Sequence, residues 1–215
     1  MSWFLSFFVG VMALLASLTI YRQDRSDLYL RLFPFFLFIV AICAGIISFL
    51  AYRRIPNLML YNPLTIFQCC FYFFVLYRII QNPVVKAIAG YLVWTYPIVS
   101  ALNILFVQKN NTFHSVTYSL GGLFLVALCI FYFFELFQRP QIVTLTRNPD
   151  FWICSGLLFY FSCSFPIYGM ANNLTKVPMF ILYNLNSIFN VLDILLYTSF
   201  TIAFLCRLRI RKSSL

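Results

Sequence analysis

The chain has 215 residues, 63% of them hydrophobic and 9% charged, with a mean hydropathy of +0.91. Soluble domains run at about 45–50% apolar and about 25% charged, so a water-soluble enzyme, a nucleic-acid binder and a disordered chain are all excluded. The net charge of +10 sits between and after apolar runs, where anionic lipid and insertion topology explain it and no nucleic-acid partner is needed.

Seven stretches approach or exceed the roughly 20 apolar residues that cross ~30 Å of hydrocarbon. They are Trp3–Ile20, Leu32–Tyr52, Tyr61–Ile80, Val84–Val107, Val116–Phe137, Phe151–Met170 and Pro178–Cys206. The expectation is an all-α membrane protein, a single seven-transmembrane helix bundle over residues 1–215 in a bacterial inner membrane. The first run lacks a basic n-region, which favours a retained helix over a signal peptide. Asn62-Pro63, Asn82-Pro83 and Asn148-Pro149 each read as a helix start, with Asn as N-cap and Pro at the first helical position. The longest connection, Gln138–Asp150, has 13 residues, so function must lie in the bundle or on its rims.

Basic residues set the orientation. Arg22, Arg25, Arg31, Arg78, Lys86, Arg139, Arg147, Arg207, Arg209, Arg211 and Lys212 fall on one side; Arg53, Arg54, Lys109 and Lys176 fall on the other. Eleven against four predicts an external N-terminus and a cytoplasmic tail.

The seven cysteines all fall within apolar runs, with no C-x-x-C spacing, and read as small buried hydrophobes. The one histidine, His114, falls in a predicted outer loop and reads as a solvated residue. No nucleotide, hydrolase or metal motif occurs, so neither catalysis nor a cofactor is expected. A retinal pigment would need a lysine within a span, and Lys86, Lys109, Lys176 and Lys212 all lie near run ends or in loops.

Polar residues concentrate on the seventh run. Tyr183, Asn186, Asn190, Asp193 and Tyr197 are spaced 3, 4, 3 and 4 apart, which aligns them on one helix face. A carboxylate at mid-depth costs roughly 2.5–3.5 kcal/mol on insertion scales, so this face should turn inward. Gln68 and Asn103 are candidate partners, and Tyr72, Tyr96, Tyr118, Tyr160 and Tyr168 can add hydroxyls. The stripe is either interhelical glue or a ligand, proton or switch site. Pro97 and Pro166 sit inside the fourth and sixth runs, where each removes a backbone hydrogen bond.

Arg147-Asn148-Pro149-Asp150-Phe151-Trp152-Ile153, followed by Gly156 and Tyr160-Phe161-Ser162, resembles a motif of small uncharacterised bacterial seven-span proteins often encoded beside sensor histidine kinases. That resemblance implies a sensory or accessory membrane module signalling through a separate kinase. The alternatives are a small proton-coupled carrier using Asp193 and, less well supplied with acids and bases, an intramembrane lipid enzyme.

Overall fold

The computed structural model describes residues 2–22, 27–108, 112–138, 145–170 and 179–212. Side chains are described over 8–21, 27–107, 112–138, 145, 147–170 and 184–206. The described chain is helical and contains no strand. Its helices are α1 (Ser2–Leu18), α2 (Leu28–Tyr52), α3 (Leu58–Ile79), α4 (Pro83–Leu102), α5 (Ser115–Phe137), α6 (Pro149–Gly169) and α7 (Met179–Lys212). Six, α2 to α7, are long and apolar enough to cross a membrane, and α1 is a shorter apolar helix.

Two of the three Asn-Pro signals act as expected. The Asn82 side chain accepts from the amides of Val84 (3.0 Å) and Val85 (3.3 Å), and Asn148 accepts from Asp150 N–H (3.0 Å). Asn62-Pro63 does not start a helix. The short turn after α2 lets α3 begin at Leu58, capped at Asn57, so Asn62 lies a full turn inside. Its buried amide donates instead to the Thr112 carbonyl (3.1 Å) and ties α3 to the start of α5. α2 likewise begins four residues before the expected Leu32, with Asp27 as its N-cap residue and its carbonyl accepting from Leu30 and Arg31 amides.

α2 ends in a Schellman-type closure: Arg54 N–H donates to Ala51 O and Ile55 N–H to Leu50 O. Arg54 takes φ 58°, the left-handed region in which a side chain is strained. α4 carries Pro97 and passes at its end into a π-helical stretch, Asn103–Gln108. α7 runs on as helix to Lys212, beyond the expected end at Cys206.

Contacts between helix ends fix the alternation. The Tyr29 hydroxyl near the start of α2 donates to the Asp150 carboxylate at the start of α6. Gln81 N–H, before α4, donates to Glu135 near the end of α5 (3.2 Å). Tyr61 near the start of α3 meets Tyr168 at the end of α6, hydroxyl to hydroxyl at 2.6 Å. Even helices from α2 onward therefore start at one end of the bundle and odd ones at the other.

α1, α2, α3, α5, α6 and α7 pack in sequence, α7 returns to α1, and α4 lies on the flank of α3 and α5. Phe33, Phe36, Phe71, Tyr72, Phe200 and Phe204 form an aromatic plug joining α2, α3 and α7, with Phe36 stacked on Phe71 at 3.9 Å. Such pairs add about 0.5–1.5 kcal/mol each beyond the area they bury. Small residues let neighbouring helices close up. A Cβ at Gly121 would lie 2.5 Å from the Tyr96 ring, and one at Gly156 would lie 2.8 Å from Ser199 Cβ. Phenylalanines such as Phe35, Phe38, Phe134 and Phe159 point outward, where lipid would receive them.

Candidate functional site

Asp193 lies near the middle of the Asn184–Cys206 segment of α7. With Asn190 and Tyr197 it lines a groove of about 330 Å³ between α1, α2 and α7. The opposite wall is α2, where Ala41, Ala44, Gly45 and Ser48 recur at helical spacing and leave room that larger side chains would fill. Gly10 and Val11 complete the α1 side. A Cβ built on Gly45 would meet nothing within 4 Å. Asn190 is buried, while Asp193 and Tyr197 are partly buried.

Asp193 and Tyr197 also border a second space on the interior side of α7. It is a chamber of about 20 Å³, lined by Thr65, Gln68, Tyr72, Tyr118 and Tyr160 among others. One water needs ~10–15 Å³ of such space, so the chamber has room for about one. Asp193 thus stands between a groove and a polar chamber. Among the described residues, no hydrogen-bond donor and no cation contacts its carboxylate.

The remaining stripe residues divide. Asn186 is exposed and does not line the groove; the extra turn between it and Asn190 carries it out of reach. The Tyr183 side chain lies outside the described residues. Gln68 lies on the chamber wall with Asp193. Asn103 does not join them. It is buried, and its amide donates to the Thr117 hydroxyl at 3.4 Å, in a different cluster. Tyr72, Tyr118 and Tyr160 reach the chamber, Tyr168 pairs with Tyr61, and Tyr96 is buried against Gly121.

That other cluster centres on His114, which the sequence places in a solvated loop and the structure places at 0% exposure. The connection into α5 is short, and His114 becomes the N-cap residue, folded under Phe113 and against α3. Its Nε2 lies 2.7 Å from Thr65 Oγ1, and its Nδ1 lies 2.9 Å from Thr117 Oγ1. Either neutral tautomer satisfies both ring nitrogens: one donates to its threonine and the other accepts, and the threonine that receives passes its own proton on, Thr65 to the Asn62 carbonyl (2.9 Å) or Thr117 to the His114 carbonyl (3.2 Å). Burial pushes the imidazole down from 6.5 to about 4, against a smaller pull upward from the Asn62 backbone. The ring is therefore neutral at pH 7. Thr65 belongs to both regions, bonded to His114 and exposed to the chamber.

Sequence reasoning missed His114, because Thr65, which meets its Nε2, is 49 residues away in the chain. The groove did have a signal, the small residues at 41, 44, 45 and 48. The described residues contain no group of three or more His, Cys, Asp or Glu arranged to hold a metal ion. The motif around Asn148 is structural where it is visible: it caps α6 and joins Asp150 to Tyr29. No family model matches the chain, and no curated protein and no solved structure matches it.

Proposed function

We propose that the chain is a sensory or accessory seven-helix module of a bacterial inner membrane, N-terminus outside, that binds a small ligand beside Asp193 and signals through a separate protein. The observation that carries this reading is the groove itself. Its volume suits a small molecule, its walls are largely apolar, and a few polar groups converge in it. The connections between helices are too short to hold an effector domain, which favours a response passed to a partner, and the resemblance around Asn148 suggests a membrane histidine kinase as its class. The orientation follows from the basic-residue asymmetry, with α1 crossing as a seventh, short span. Reporter fusions at the C-terminus should read cytoplasmic, and an external reading sinks the topology.

The test of signalling is reconstitution. The full chain should change the autophosphorylation of a membrane histidine kinase from the same cell, and Asp193→Asn should remove that change while the protein still folds. Kinases indifferent to the chain, or turnover of a lipid by the chain alone, would defeat the reading. A second reading, a proton-coupled carrier, draws on Asp193 bordering both the groove and the chamber that continues through Thr65 to His114. Proteoliposomes holding the chain alone separate the two: dissipation of an imposed pH gradient favours the carrier.

A further inference from the structure

We propose that the groove takes an organic cation, a small amine with an apolar body that enters between α1 and α2 and sets its ammonium against Asp193. This rests on the reading of the groove as a ligand site and names the ligand's chemistry.

Charge is the first argument. Among the described residues, Asp193 is the one carboxylate on the groove, and no Lys, Arg or His lines it. No described side chain donates to that carboxylate or pairs with it, although it is set at mid-depth in an apolar helix. A carboxylate so placed is costly unless a proton or another cation joins it. An acidic ligand would meet like charge, and a neutral one would leave the carboxylate uncompensated.

The walls then choose between kinds of cation. A hard metal ion wants about six oxygen ligands, whereas here Asn190, Tyr197 and Ser48 stand among Val11, Leu37 and Val40. One anionic group in a largely apolar groove, with a few neutral polar groups beside it, matches a body of hydrocarbon carrying one ammonium. Shape agrees with this. Ala41, Ala44 and Gly45 keep the α2 wall low, and the empty space beside Gly45 is where an apolar body fits. The outward neighbours Phe38, Ile42 and Ile46 on α2 and Phe8 and Met12 on α1 are exposed, so an amphiphile held in lipid reaches the mouth from the side.

The experiment uses the full chain in nanodiscs and three probes of one shape: phenethylamine, 2-phenylethanol and phenylacetate. Binding is read by calorimetry and by the shift in unfolding temperature at millimolar probe. Phenethylamine should bind saturably and raise the unfolding temperature, phenylacetate should not bind, and the alcohol should bind at least about tenfold more weakly than the amine. Asp193→Asn should bring the amine down to the affinity of the alcohol. Ala44→Leu, which fills the groove without touching the carboxylate, should abolish binding of both; it also keeps the proposal testable if Asp193→Asn folds poorly. Equal affinity for amine and alcohol, unchanged by Asp193→Asn, would overturn the cationic class and leave a ligand groove standing. Amine binding that is absent, or that survives Ala44→Leu, also overturns the proposal, and the phosphorylation assay then judges the signalling reading on its own.

Discussion

His114 and Asp193 are both ionisable side chains set into an apolar bundle, and their surroundings differ in kind. His114 is sealed, with both ring nitrogens bonded to hydroxyls that are themselves bonded onward. Asp193 faces open space on two sides, a groove and a chamber, with no described donor on its carboxylate. Inside a low-dielectric medium a completed polar network rigidifies, while an incomplete one is paid for elsewhere in the fold and marks a place where something else can bind. Architecture and site are therefore separate: the histidine network holds α3 to α5, and the aspartate at mid-helix is left available.

The largest effect should come from breaking the sealed region. His114→Leu keeps the bulk but removes the ring's two bonds to Thr65 and Thr117, whose hydroxyls keep the carbonyls of Asn62 and residue 114, and each hydrogen bond lost costs about 0.5–1.5 kcal/mol. A loss of up to about 3 kcal/mol is expected, seen as a lower unfolding temperature of the purified chain, with His114→Gln losing less. A His114→Leu protein as stable as the parent would remove the network from the account of the fold.

Acid attacks the same network without mutation. The folded-state imidazole titrates at about 4 against 6.5 ordinarily, so between those values the unfolded chain binds the proton and the folded chain does not. A base whose pKa is lowered by folding gives stability that is fully present above 6.5 and is lost as pH falls toward 4. Up to about 3 kcal/mol should disappear across that window. Unfolding temperatures measured from pH 7 to pH 4 should show the decline, and His114→Gln should flatten it. An equally steep decline in that variant would assign the acid sensitivity to other groups.

Thr65 tests whether the two regions are separable. Thr65→Val keeps the shape, removes one hydroxyl and leaves His114 Nε2 without its hydrogen-bond partner, at a cost of about 2 kcal/mol. Amine binding in the groove should persist, because the groove lining does not include Thr65. Loss of binding together with stability would join the two regions into one.

The sequence carried one of these regions far better than the other. Helices and their lengths follow from apolar runs, and two Asn-Pro caps follow from local chemistry. Asp193, Asn190 and Tyr197 share a face because helical spacing is a local rule. Asn186 obeys the same spacing yet points outward, since helical spacing aligns residues on a face without deciding how far that face stays covered along α7. His114, Thr65 and Asn103 converge only through the packing of α3, the end of α4 and the start of α5. Nothing in a run of letters near Thr112 says that the chain turns inward there. The early start of α3 has the same cause: Asn62 is held by a carbonyl fifty residues away, a contact that a cap rule cannot see.

Asp193→Asn should give the smallest change in stability and the one of opposite sign. The carboxylate bears a desolvation cost and has no described donor to recover it, so an amide of the same size removes a charge without breaking a bond. A gain of about 1 kcal/mol is expected, of the size seen when a residue kept for function is replaced. Asp193→Leu should fold as well, because no described neighbour loses a partner. Both variants should weaken amine binding to the level of the alcohol without losing stability, while Thr65→Val loses stability and keeps binding. A fall in unfolding temperature for Asp193→Asn as large as that for Thr65→Val would show Asp193 to be interhelical glue, and the contrast between a sealed histidine and an available carboxylate would fail with it.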